Sequence, residues 1–443
     1  MTSEFRTETR QLLHVAWPVI LGQLGHVTVG VADSAMIGQT GTLPLAAAAF
    51  ANSLFVIPLV FGIGVAYGIT PLVANADGQG DRDRVGRLLS QGLLINSLLS
   101  IALMAVLWLI KPLAVHMGQD PEVITLALPY LGLLILGLFP LMIFLSLKQF
   151  AEGLSDTRPA MLISLGANVV NVALNYAMIY GHWGFPAMGL MGAGYATLIS
   201  RILMALSMYA YMALHPRFII YRTELLPRRF EMARIRRILA LGIPSGLQYI
   251  FEVGAFATAA VFIGQLGALP LAAHQIAISL ASISYMAASG IGAAATVRIG
   301  NAQGRQDVAA IRRVGMVAFF LVCIIMSLAG LTFALGNRFF PSLYNSDPEV
   351  ILLSAQLLII AVFFQLSDGI QVVGLGLLRG LADVRMPTFI TFFSYWVIAL
   401  PLSYVWGLHY LGGVGAIWIC LAIGLTLSAA LLMRRFHRLS RLA

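Results

Sequence analysis

Long apolar runs broken by few charges constrain this chain more than any other feature. A helix needs about 20 apolar residues to cross the hydrocarbon of a bilayer. The sequence meets that length twelve times, roughly over 13–38, 46–74, 91–112, 122–147, 160–180, 188–214, 238–264, 271–297, 314–336, 349–377, 388–408 and 411–433. Inside lipid every backbone N–H and C=O must be paired internally, so a spanning segment is a helix or part of a closed barrel. These runs do not alternate over about ten residues as barrel strands do. The expected fold class is therefore an all-α membrane protein with twelve transmembrane helices in contact with the lipid bilayer. Only 10% of the residues are charged, against roughly 25% in soluble domains, which rules out nearly every soluble enzyme fold.

The formal charge of +9 invites a nucleic-acid reading, and the placement of the cations argues against it. Of 27 Lys and Arg, 24 fall in the two terminal tails and in the loops on one side, among them the run from Arg217 to Arg237. Lys111 and Arg338 fall on the other side, and Arg201 lies within a span. Cytoplasmic loops are the ones enriched in Lys and Arg, so both termini are expected in the cytoplasm and no nucleic-acid partner is needed. The first apolar run is longer than the core of a signal peptide, and Glu4 and Glu8 stand where a compact basic region would be, so it reads as a retained span. Cys323 and Cys420 sit in apolar runs with neither metal-ligand spacing nor a disulfide framework.

Shifting the chain by 226 residues lays GQTGTLPLAA (38–47) on GQLGALPLAA (264–273), with eight matches in ten positions. Pro18 meets Pro244, Gly64 meets Gly290, and Thr70 meets Thr296 in the same register. Further along, Asp120-Pro121-Glu122-Val123 returns as Asp347-Pro348-Glu349-Val350. The chain is thus a six-helix unit duplicated, with lobes expected at 1–214 and 238–443 and a basic cytoplasmic linker over 215–237. An even number of spans per unit makes the halves parallel, related by pseudo-two-fold symmetry along the membrane normal, a plan known in transporters. A duplicated channel or receptor would share it.

Of the 18 carboxylates, Asp33, Glu252 and Asp368 fall within spans away from their ends. A charge there costs at least about 2.5 kcal/mol on insertion scales, which makes each a functional candidate; the alternative is a neutral, hydrogen-bonded packing role. The repeat register pairs Glu252 with His26, Asp33 with Ala259 and Asp368 with Leu141, so the halves share a scaffold and differ in chemistry. Two carboxylates in one half could share a hard monovalent cation or hold a proton. Asn168, Asn171 and Asn175 are spaced i, i+3, i+7, which places three amides on one helical stripe. They are either interhelical hydrogen-bond partners or neutral ligands around Asp33, with Thr197 as another. Gln275 and Tyr285 are further candidates, and Arg201 is the only cation well inside a span, free by its length to snorkel toward the interface.

Together these residues resemble the multidrug and toxic compound extrusion (MATE) family, in its NorM-like branch. The resemblance covers essentially the whole chain and rests on WPVILGQLGHVTVGVADSAMIGQTG (17–41), IPSGLQYIFEVGAFATAAVFIGQLG (243–267) and QLSDGIQVVGLGLLRGLADVRMP (365–387). It implies two six-helix lobes in a V-shaped arrangement with a central cavity, and alternating-access export of small amphipathic organic cations driven by Na+ or H+. It further implies coupling residues Glu252, Asp368 and Tyr285 in the C-terminal lobe, with Na+ as the candidate metal ion at the two acids. In the N-terminal lobe it implies Asp33, Asn171, Asn175 and Thr197. Gln275, Asp347 and Asn168 are the candidates for the substrate cavity. Ser34 follows Asp33, where the family often has threonine. A monomer in a bacterial cytoplasmic (inner) membrane is expected, with no cofactor beyond the coupling ion.

The leading expectation is a cation-coupled multidrug efflux antiporter. The alternative is a flippase of a lipid-linked precursor, which would call for a cationic cavity, whereas the charge within these spans is acidic. An enzyme is not expected: HExxH and GxxxxGK[ST] are both absent, so neither the zinc-protease motif nor an ATP-binding loop is present.

Overall fold

The computed structural model describes residues 3–226, 230–410 and 412–441. Twelve helices are long and apolar enough to cross a membrane, and they confirm the all-α membrane fold. In chain order they are α1 (Ser3–Gly38), α2 (Thr42–Gly78), α3 (Arg82–His116), α4 (Pro121–Gly153), α5 (Arg158–Tyr180), α6 (Leu190–Leu214), α7 (Met232–Gln265), α8 (Ala268–Gly304), α9 (Val308–Leu335), α10 (Pro348–Gly380), α11 (Arg385–His409) and α12 (Gly413–Leu439). Several outrun the apolar stretch that announced them. A helix continues through polar turns as long as its backbone is paired, whereas hydropathy measures only the part suited to lipid.

The duplication is visible in the backbone. Gly41 and Gly267 both take positive φ just before α2 and α8, and the left-handed residues Gly80 and Gln306, and Ser155 and Ala382, occupy equivalent turns. Asp81 caps α3 through the Arg84 N–H and Asp307 caps α9 through the Ala310 N–H, each at 2.9 Å. The Thr70 hydroxyl donates to the Gln149 carbonyl at 3.2 Å, and the Thr296 hydroxyl to the Gly376 carbonyl at 2.8 Å. The sequence match therefore preserves turns, caps and interhelical bonds.

The chain packs into two compact units, one of Leu21–Gly246 and one of Met1–Ile20 with Leu247–Ala443. Both divisions lie inside helices, two residues beyond Pro18 of α1 and Pro244 of α7. Proline removes a ladder hydrogen bond in a helix interior, which gives each helix a natural place to divide. The sequence linker at 215–237 marks where chain order passes between repeats; the packing boundary lies elsewhere because close helix contacts decide it. In the 21–246 unit a Cβ on Gly64 would come within 2.5 Å of the Gly246 Cα, and one on Gly68 within 2.7 Å of the Gly242 nitrogen. Both helices carry G-x-x-x-G, which allows such backbone approach in membranes. In the other unit Gly290 of α8 holds the same position against the opening of α1, where its Cβ would meet Ile20 at 2.3 Å. There Glu8 also receives two hydrogen bonds from Arg298, at 2.8 and 3.0 Å.

The repeats diverge in regularity. In the first, α2 is interrupted at Tyr67–Gly68 and α4 at Gly137, while their counterparts α8 and α10 run unbroken. Conversely α5 is a regular helix, whereas α11 contains two π-helical stretches, Phe393–Ala399 and Ser403–His409, around Leu400–Leu402. Pro401 explains the difference, since its missing N–H and bulky ring cannot be fitted into an ordinary turn.

Candidate functional site

Within the 247–443 unit two apolar clusters leave a layer between them. On α10 residues 357–364 belong to one cluster and 373–378 to the other. On α8 the same division falls between Ala281 and Ala288. The polar side chains sit in that gap: Ser284 and Tyr285 on α8, Gln365, Asp368 and Gln371 on α10. Glu252 on α7 immediately precedes the run of Ala255, Ala259 and Ile263 that enters one cluster, and Tyr395 comes from the first π-helical stretch of α11. Glu252 and Asp368 are each only 6% exposed, and they act on one another electrostatically. Arg379 on α10 also acts on Glu252.

Neutral groups complete the layer. The Gln371 Nε2 lies 3.5 Å from Glu252 Oε1 and 3.0 Å from the Tyr395 hydroxyl, and that hydroxyl lies 3.2 Å from Gln371 Oε1. Gln365 and Ser284 hydrogen-bond each other at 2.7 and 2.9 Å. Buried polar atoms need partners, and a network in which every member is satisfied is what makes such a layer tolerable inside apolar packing. Among the described residues no group of three or more His, Cys, Asp or Glu side chains gathers as a metal centre. An ion at Glu252 and Asp368 would therefore draw its remaining ligands from neutral oxygens, of which Gln371 and Tyr395 supply two.

In the 21–246 unit the amide stripe of α5 meets Asp33 of α1. Asn175 donates to Asp33 Oδ1 at 2.6 Å and to Asn171 Oδ1 at 3.2 Å. Asn175 and Asn171 are buried, yet the Asn175 Oδ1 finds no hydrogen-bond partner among the described residues. A buried carbonyl oxygen that meets no donor and stands next to a carboxylate is suited to a cation. Asn168 is half-buried and its Nδ2 also lacks a partner among the described residues. Thr197 lies half-buried on α6, one turn before Arg201. Arg201 does not snorkel away: its guanidinium donates to the Leu134 carbonyl at 3.3 Å, lies 5.2 Å from the Phe55 ring centre and acts electrostatically on Asp33.

The remaining candidates fall elsewhere. Gln275 is exposed on α8. Asp347 is exposed at the start of α10, where its carboxylate accepts from the Glu349 N–H at 2.9 Å, as Asp120 does from the Glu122 N–H at 2.8 Å before α4. Asp347→Ala is accordingly expected to lower stability by about 1 kcal/mol, as loss of an N-cap does, and to leave the half-saturating substrate concentration unchanged; titrating both properties in the purified variant checks this. Sequence reasoning missed Gln371 and Tyr395. The signals were present: Gln371 lies i+3 from Asp368 on the same helix, and Tyr395 occupies the repeat position of Asn168. It also missed Glu152, which the continued α4 buries beside Lys148 at 3.8 Å.

Comparison with known proteins adds an independent line. The profile of the family described as MatE matches residues 18–177 and again 244–405, once in each repeat. A probable multidrug resistance protein NorM from Bradyrhizobium diazoefficiens is 36% identical over 436 residues, covering 97% of this chain and 93% of that protein. Among solved structures, an aspartate-to-asparagine mutant of the Vibrio cholerae MATE transporter VcmN superposes with a TM-score of 0.90 at 17% identity, over 100% of this chain and 99% of that one. The eukaryotic MATE transporter AtDTX14 gives 0.87 at 20% identity, over 99% of both chains.

Proposed function

The chain belongs to the MatE family, and we propose that it is a multidrug efflux antiporter that exports amphipathic organic cations against an inward flow of Na+ or H+. It is a membrane transporter and not an enzyme. The observation that carries the coupled reading is the set of carboxylates inside the spans, each met by amides that remain good partners whether the acid is charged, protonated or bound to a cation. Asp33 with Asn175 and Asn171 would serve as one ion site, and Glu252 with Asp368 as the other, with Tyr285 in the same polar layer. Acids at this depth suit a positively charged cargo and disfavour the phosphates of a lipid-linked precursor.

Export would follow alternating access, with each ion bound from outside and given up to the cytoplasm. The protein would act as a monomer in a bacterial inner membrane with both termini cytoplasmic. Flux in proteoliposomes, with Na+ and pH gradients imposed separately, tests the proposal: one gradient should drive uptake or release of a fluorescent organic cation, and flux indifferent to both would overturn it.

The orientation has its own test. Replacing Arg236 and Arg237 with Glu, together with Arg228 and Arg229, which lie outside the described residues, should disturb insertion or orientation more than substrate affinity, because Lys and Arg near span ends set topology. Accessibility labelling that placed 217–237 on the external face of the unaltered protein would refute the assignment.

A further inference from the structure

A buried acid that changes charge during a transport cycle sets a problem that the groups around Glu252 can solve. As a carboxylate, Glu252 accepts hydrogen bonds only; when protonated, it also has an O–H to donate. A fixed donor beside it suits the first state and leaves the second with a misdirected proton, and an unmatched buried polar group costs on the order of 1–3 kcal/mol. Gln371 is not a fixed donor. Its amide presents an N–H at one corner and a carbonyl at the other, and the Tyr395 hydroxyl reaches both, at 3.0 Å from Nε2 and 3.2 Å from Oε1. A phenol hydroxyl both donates and accepts, so it can complement either orientation of the amide.

We propose that Gln371 and Tyr395 are positioning residues that form a reversible hydrogen-bond relay, matching the buried surroundings of Glu252 to both of its charge states. With Glu252 ionised, Gln371 donates Nε2–H to Oε1 and Tyr395 donates its hydroxyl to the Gln371 carbonyl. With Glu252 protonated, the amide turns over, its carbonyl accepts from the acid, and its NH2 donates to the phenol oxygen. A bound monovalent cation uses the same turned-over carbonyl as a ligand. No bond is made or broken in Gln371 or Tyr395, and their own protons stay in place.

The fold supports the assignment. Gln371 and Tyr395 are both fully buried, in the seam between the two apolar clusters. Tyr395 reaches the seam from a π-helical turn, a widened geometry that recurs at functional sites. The first repeat has regular helix there, with Asn168 at the matching position and Phe144 at the position of Gln371. The relay is thus confined to the repeat that carries the paired acids. The charged and titratable groups that act on Glu252 or its partner are Asp368 and Arg379 from α10 and Tyr395 from α11.

The inference rests on Glu252 being a coupling residue, so the experiment includes Glu252→Gln beside Tyr395→Phe and Gln371→Met. Efflux from proteoliposomes is measured against internal and external pH and against Na+, together with the half-saturating concentration of the organic cation. Tyr395→Phe and Gln371→Met should each move the midpoint of the ion dependence by about tenfold in ion concentration, the size of one hydrogen bond to a charged group, and leave the half-saturating substrate concentration within twofold. Should Gln371→Met prove unstable, Gln371→Asn, which keeps the amide and shortens its reach, serves in its place. If Glu252→Gln changes the ion dependence and the two relay variants do not, the relay is overturned and the coupling reading stands. If Glu252→Gln changes nothing, both fail together.

Discussion

Glu252→Gln and Asp368→Asn are each expected to reduce gradient-driven efflux to the leak of protein-free vesicles while leaving expression and thermal stability close to those of the unaltered protein. Both substitutions keep the size of the side chain and a hydrogen-bonding oxygen, so Gln371 retains its partner at position 252. What they remove is the negative charge, which is costly at this depth and is justified by attraction for a cation or proton. Because the two acids act on each other electrostatically, their effects should not add. Groups that form one site show coupling energies of about 0.5–3 kcal/mol, and the double variant should be little worse than either single one. Ion-coupled efflux at the unaltered stoichiometry in either variant would remove that acid from the coupling site.

The same layer shows what the sequence could and could not reveal. Apolar run length found all twelve helices, because the demand for internally paired backbone in lipid leaves little freedom. The duplication was equally legible, since turns such as Gly41 and Gly267 depend on local sequence that the repeat preserves. Asp33, Glu252 and Asp368 stood out because a charge in an apolar run is rare and costly. Gln371 and Tyr395 did not, because a neutral polar residue in a span is common and its significance depends on what it faces. Tyr395 faces Gln371 only through a π-helical stretch next to Pro401, and no count of residues per ordinary turn anticipates that. The division of the units within α1 and α7 was hidden for a similar reason: it is set by glycine-to-backbone contacts between segments far apart in sequence.

Asp33→Asn is expected to retain binding of the organic cation and to lose the dependence of that binding on Na+ or pH. The side chain keeps an oxygen that can accept from the Asn175 amide, now at 2.6 Å from Asp33 Oδ1, so the α1 to α5 contact survives. The charge that would draw an ion toward the unpartnered Asn175 Oδ1 is gone, leaving Arg201 without the acid on which it acts. If ion and drug oppose each other through this site, linkage requires that substrate weaken ion binding by the same factor by which the ion weakens substrate binding; coupling of 1–3 kcal/mol corresponds to roughly 5- to 150-fold. Fluorescent-cation affinity measured across Na+ concentration and pH reads that factor directly. It should be well above unity in the unaltered protein and fall to one in Asp33→Asn. An unchanged factor would make Asp33 a packing residue of the amide stripe and place all coupling on Glu252 and Asp368.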